Sequence, residues 1–228
     1  MDGKDISFKS GRGTLRGYLV LLEGDRARPG VVVIHEAFGL NDNIREITGR
    51  FAGEGYAALA VDLFTDRNKV ICMAGFFASS VRGREPAGVA DLRSALGYLG
   101  EQPGVDASRI GAIGFCLGGG FAVAWARADD RLKAIAPFYG TNPRPVKAIQ
   151  RMCPVVGSYP GSDFTAKSGS RLGEHLGRLG VARDIKIYPG AKHSFFNDQG
   201  KTYDPAAASD AWQRTLAFFR IHLGAVTG

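Results

Sequence analysis

The chain has 228 residues, 45% of them hydrophobic and 22% charged, and its 29 Lys and Arg against 22 Asp and Glu give a net charge of +7. That length and apolar fraction favour one domain over residues 1–228, burying roughly 70–75% of the surface its unfolded chain exposes without a disulfide or metal staple. Glycine at 32 and proline at 10 stay below the low-complexity range, so disorder and collagen are excluded.

Short apolar runs alternate with longer amphipathic ones, the pattern of strands covered by helices on a largely parallel sheet. Segments 6–8 and 15–22 read as a hairpin pair around Gly11 and Gly13. A buried strand follows at 30–36, then a helix at 43–53 with Asn41 or Asp42 as its N-cap. The next strand is 56–62. Leu92, Ala95, Leu96 and Leu99 share one face of a helix at 89–99. Beyond it come a strand at 109–115, a helix from about 117 to 128, and strands at 134–139 and 154–159. A helix at 166–179, a strand at 185–188 and a last helix at 205–223 complete the alternation. Segment 65–86 lacks firm punctuation and reads as a helix over the site or a mobile lid.

Arg and Lys are scattered among acids without a long run of like charge, so no nucleic-acid partner is expected. The polar opening MDGKDISFKSGRG has no run of signal-peptide length, and the longest apolar runs, such as 31–34, fall short of a membrane span. A cytoplasmic protein with no membrane partner is expected. Cys72, Cys116 and Cys153 are odd in number and widely spaced, which suits a reducing compartment and matches no zinc pattern.

Gly114-Phe115-Cys116-Leu117-Gly118 has the G-x-nucleophile-x-G form between a predicted strand and a predicted helix. So sharp a turn strains its central residue and requires small neighbours. It would lift the Cys116 sulfur out of the sheet's carboxyl edge, at a helix N-terminus that favours thiolate. A buried structural cysteine is the alternative; the glycines and the strand-helix context favour the nucleophile. Its base and acid should come from loops at the same edge. His193 follows a predicted strand, whereas His35 ends an earlier one, His175 lies in a helical run and His222 near the last helix's end. Asp163 follows the strand at 154–159; Asp62 is its rival and Asp184 is less well placed. The order Cys116, Asp163, His193 is nucleophile, acid, base. In His35-Glu36-Ala37-Phe38-Gly39 the second histidine of HExxH is missing, so no zinc is expected. Glu36 is left as a carboxylate in the loop that completes an oxyanion hole.

Together, HEAFGLN, IREITGRFAGEGYAALAVDLF, GFCLGGGFA, YPGSDF and KHSFFN resemble the dienelactone hydrolases, or carboxymethylenebutenolidases, over nearly the whole chain. The resemblance implies an α/β-hydrolase fold: a mostly parallel sheet of about eight strands with helices on both faces, in three layers. It implies a triad of Cys116, His193 and Asp163 that cleaves a small ester or lactone without cofactor or metal. It also implies that Glu36 takes the thiol proton and that the Leu117 and Ala37 amides form the oxyanion hole. Ser194 matches the type enzymes too. Those enzymes hold a substrate carboxylate with two arginines. Asn197 stands near the place of one, and Arg82 or Arg84 could supply the other. Dienelactone itself is therefore not the expected substrate. A general carboxylesterase or thioesterase on the same triad and a non-catalytic ligand-binding relative are the alternatives, as a monomer or small homo-oligomer.

Overall fold

Apolar runs with little or no polar interruption form the centre of the computed structural model, which describes residues 3–24 and 26–224. Strands β1 (Lys4–Ser10), β2 (Gly13–Val20), β3 (Arg28–Ile34), β4 (Ala57–Asp62), β5 (Val105–Phe115), β6 (Leu132–Phe138), β7 (Val155–Pro160) and β8 (Arg183–Tyr188) make one sheet in the order β1-β2-β4-β3-β5-β6-β7-β8. The β1·β2 and β2·β4 pairs are antiparallel and the others parallel. Helices α1 (Asp42–Gly53), α2 (Lys69–Val81), α3 (Gly88–Gly100), α4 (Leu117–Ala126), α5 (Ala166–Arg178) and α6 (Pro205–His222) cover it.

The strand period of two assigns alternate residues to opposite helical layers. Val31 and Val33 meet Ile44, Ile47 and Phe51 of α1 and Trp212, Leu216 and Phe219 of α6. Val32 and Ile34 face the other layer, with Leu92 of α3, Phe121 and Trp125 of α4, and Leu172 and Leu176 of α5. All four β3 residues are fully buried, and each such side chain contributes about 1.5–3 kcal/mol by leaving water. Parallel register then sets the carboxyl ends side by side: Ile34 opposes Gly114, Phe115 opposes Phe138, and Phe138 opposes Ser158. The strand order reverses between β3 and β5, and a crevice opens at such a switch point. The loops after β3 and β5 leave the sheet there, carrying Glu36 and Cys116.

Three expectations are adjusted. The strand expected at 30–36 ends at Ile34, so His35 and Glu36 belong to the following loop. The strand expected from 109 begins at Val105, where it already pairs with Arg28. Segment 65–86 contains α2, whose N-cap Asn68 Oδ1 accepts from the amides of Val70 and Ile71 at 3.0 and 3.2 Å. Val70, Ile71, Phe77 and Val81 of that helix are exposed while Phe76 is buried. Apolar residues on every side leave no stripe, which is why periodicity did not resolve it. No helix among the described residues is long and apolar enough to cross a membrane.

Candidate active site

Cys116 joins β5 to α4 with φ 53° and ψ −111°, a conformation that costs a side-chain-bearing residue about 1–3 kcal/mol. Neighbouring chain holds it there. Its amide donates to the Phe138 carbonyl at 3.0 Å. A Cβ on Gly114 would lie 2.1 Å from the Gly118 oxygen, and one on Gly118 would lie 2.3 Å from the Ile34 oxygen. The glycines therefore allow three backbone segments to touch where the nucleophile candidate emerges.

The half-buried sulfur accepts from the amides of Leu117 and Ala37. Burial, and then the Glu36 carboxylate, nevertheless push its thiol up to about 11, against the pull of the two amides. The helix N-terminus alone would favour thiolate; here desolvation and a facing anion outweigh it, and the resting group is a thiol. Iodoacetamide labelling of Cys116 should therefore rise about tenfold per pH unit from pH 7 to 9 and level only near its raised value. Glu36→Gln removes the facing charge, lowers that value and should speed labelling at a given pH. A plateau below pH 9, or rates indifferent to the substitution, would contradict this electrostatic account.

Glu36 is buried, at 4% exposure. Ser194 Oγ donates to its Oε1 at 2.8 Å, and the Tyr139 hydroxyl faces the same carboxylate. The loop itself is fixed by His35. The Leu63 amide donates to His35 Nε2 at 3.0 Å, so Nδ1 carries the proton that it donates to the Glu36 carbonyl at 2.6 Å. That ring is fully buried and neutral, its pKa lowered by desolvation.

Tyr139 was missed by sequence reasoning. It follows β6 directly with φ 39°, and its ring centroid lies 5.0 Å from that of His193. Burial, and then the charges of Glu36 and Cys116, push its phenol well up. An amphipathic aromatic at the carboxyl end of a central strand was the available signal. Tyr139→Phe removes the hydroxyl that faces the Glu36 carboxylate, a polar contact to a charged group worth about 1.5 kcal/mol. It should lower kcat/KM roughly tenfold with the fold retained and shift the pH profile of Cys116 labelling. Unchanged turnover and labelling would make Tyr139 a packing residue only.

His193 Nδ1 bonds to Asp163 Oδ2, while Asp163 Oδ1 accepts from the Thr165 amide at 2.6 Å. The aspartate side chain is 5% exposed and the imidazole 33% exposed. Thr202 Oγ1 donates to the His193 carbonyl at 2.6 Å, and the Phe164 ring lies nearly parallel to the imidazole, 6.1 Å away. With Nδ1 occupied, Nε2 is left for proton transfer. The rivals are engaged elsewhere. Asp62 Oδ1 accepts from the Phe64 amide at 3.0 Å, and Asp184 pairs with Arg214 at 2.6 Å. His175 Nε2 bonds to the Ile149 carbonyl, and the His222 ring packs at a tilt against Phe218.

The structure therefore brings Cys116, Glu36, Ala37, Leu117, Asp163, His193 and Ser194 to one edge. It does not bring Asn197, Arg82 or Arg84 into that hydrogen-bonded cluster. Asn197 Oδ1 accepts from the Gln199 amide at 3.0 Å. Arg82 caps the C-terminus of α2, and the Arg84 amide bonds back to Ser79; both side chains are exposed. Among the described residues no group of three or more His, Cys, Asp or Glu is arranged to hold a metal ion.

A family profile described as the dienelactone hydrolase family matches residues 15–223. A protein of Saccharolobus solfataricus, provisionally named a carboxymethylenebutenolidase, is 34% identical over 254 aligned positions, covering 95% of this chain and 98% of that protein. A crystal structure provisionally named a dienelactone hydrolase, from Klebsiella pneumoniae, superposes with a TM-score of 0.84 at 26% identity, over 96% of this chain and 98% of that one. A dienelactone hydrolase-like promiscuous phosphotriesterase from metagenomic libraries gives a TM-score of 0.84 at 27% identity, over 97% and 98% of the two chains.

Proposed function

Because the chain belongs to the dienelactone hydrolase family and is an ester hydrolase of the α/β-hydrolase fold, we propose that it cleaves small uncharged esters or lactones through Cys116, His193 and Asp163. The observation that carries this reading is a convergence at one sheet edge. A thiol sits under two amides, against a carboxylate, near a histidine held by a buried aspartate.

Substrate displaces the sulfur from the Leu117 and Ala37 amides, and Glu36 accepts the thiol proton. The thiolate attacks the carbonyl carbon, and the same two amides take the oxyanion. His193, as the imidazolium paired with Asp163, gives its Nε2 proton to the leaving oxygen as the C–O bond breaks, leaving a thioester on Cys116 and a neutral ring. In the second half, Nε2 takes a proton from water and the resulting hydroxide attacks the thioester. Sulfur leaves, recovers its proton from Glu36, and the acid is released.

The preference for uncharged substrates is supported by the side chains on the loops that carry the cluster. Phe38 and Phe164 are exposed on the loops after β3 and β7. Losing a hydrogen-bonded charge partner costs a substrate carboxylate on the order of 2–5 kcal/mol, roughly 30-fold to several thousand-fold in binding. A panel of lactones, oxyesters and thioesters, each with and without a carboxylate, should show higher kcat/KM for the uncharged members. Wild-type preference for the carboxylated lactone, retained in Arg82→Ala and Arg84→Ala, would show the substrate site to be elsewhere. Thioesters outrunning oxyesters would favour the thioesterase alternative on the same residues.

A further inference from the structure

A cavity of about 230 Å³ lies beneath α2, walled by Phe64, Ile71, Cys72, Phe76 and Phe121, with Arg12 as its charged wall. None of the residues assigned to catalysis above lines it. Apolar cavities of about 150 Å³ stay dry and take up benzene, so this one has room for a phenyl ring with a short chain. The charges beside it are unbalanced. Asp91 is fully buried. Its Oδ2 accepts from Arg12 at 2.9 Å and from Arg67 at 2.5 Å, and its Oδ1 accepts from Ser10 Oγ at 2.6 Å. Two guanidiniums on one carboxylate leave a surplus positive charge. Beyond its bond to Asp91, the Arg12 guanidinium bonds to no other described residue.

We propose that this cavity binds a small apolar carboxylate, its ring or alkyl body among the phenylalanines and its acid group on Arg12. A carboxylate supplies the missing charge through the fork that guanidinium offers it, and the apolar body fills space that water would occupy poorly. Such acids are the chemical class that ester hydrolysis releases. One wall, Phe64, packs against His35 with ring centroids 4.7 Å apart, so the cavity lies next to the loop that carries Glu36 and Ala37. The proposal stands on the cavity and its charges, not on the catalytic roles given above.

Cys72 is a built-in reporter. In the wild-type protein, millimolar 3-phenylpropionate should protect Cys72 from iodoacetamide, read site by site in a mass spectrometer. The alcohol 3-phenylpropanol should protect about tenfold less well, as should the acid with Arg12→Gln, because a hydrogen bond to a charged group is lost. Arg67 still holds Asp91 in that variant. A Cβ on Gly75 meets nothing within 4 Å, so Gly75→Leu can place its side chain in the cavity while favouring the helix. Calorimetry on Gly75→Leu should show no binding heat for the acid. No protection at millimolar acid, equal protection by the alcohol, or undiminished heat with Gly75→Leu would overturn the proposal, the last by locating the acid elsewhere. Because no readout is turnover, failure here is separable from failure of the hydrolase mechanism.

Discussion

Cys116→Ala should reduce ester hydrolysis by on the order of 10⁴-fold or more, to the level that binding and the two amides sustain without a nucleophile, whereas Cys72→Ala and Cys153→Ala should retain turnover. Only Cys116 stands on the strained strand-to-helix turn with two amides on its sulfur. Burial pushes Cys153 up to about 12, and Cys72 faces the cavity under α2. Steady-state kcat/KM for an aryl ester, with circular dichroism to establish folding, makes the comparison. Alanine has the smaller side chain and the turn is held by glycines on either side, so the fold should survive the change. Full activity in folded Cys116→Ala would remove the sulfur from the chemistry.

The central architecture was legible because buried parallel strands have no polar face to disguise them: Val31 to Ile34 and Ala57 to Val61 read directly as strands. The Cys116 turn was legible for a similar reason, since Gly114 and Gly118 touch backbone and tolerate no other residue there. Side-chain reach across loops was not. Tyr139 comes to Glu36 only because β6 lies beside β5 and its first loop residue has a positive φ, which no local pattern records. The thiol's protonation was equally hidden. A helix N-terminus is visible in sequence, but the burial and the facing carboxylate that outweigh it arise from tertiary packing. Asn197 was singled out because the family resemblance places a carboxylate-binding arginine near it, shortly after His193, yet its Oδ1 is committed to a turn two residues on. Spacing gives proximity along the chain and not direction.

Asp163→Asn should lower kcat by roughly 10²–10⁴-fold with little change in stability, and the hydrogen bonds around the carboxylate say why. Oδ1 accepts from the Thr165 amide at 2.6 Å. In the asparagine variant the side-chain oxygen must keep that position, because an amide nitrogen would meet another donor. The –NH₂ group is then turned toward His193 Nδ1, which must become the acceptor and give up its proton. The imidazole proton moves to Nε2, and a protonated neutral Nε2 cannot take a proton from water. His193→Ala, which deletes the carrier, should fall by about 10²-fold or more. Asp62→Asn should be nearly silent, since its Oδ1 accepts from the Phe64 amide and an asparagine oxygen does the same. The measurements are kcat and KM for all three variants with melting temperatures alongside. A damaging Asp62→Asn beside a silent Asp163→Asn would mean that the acid had been assigned to the wrong loop.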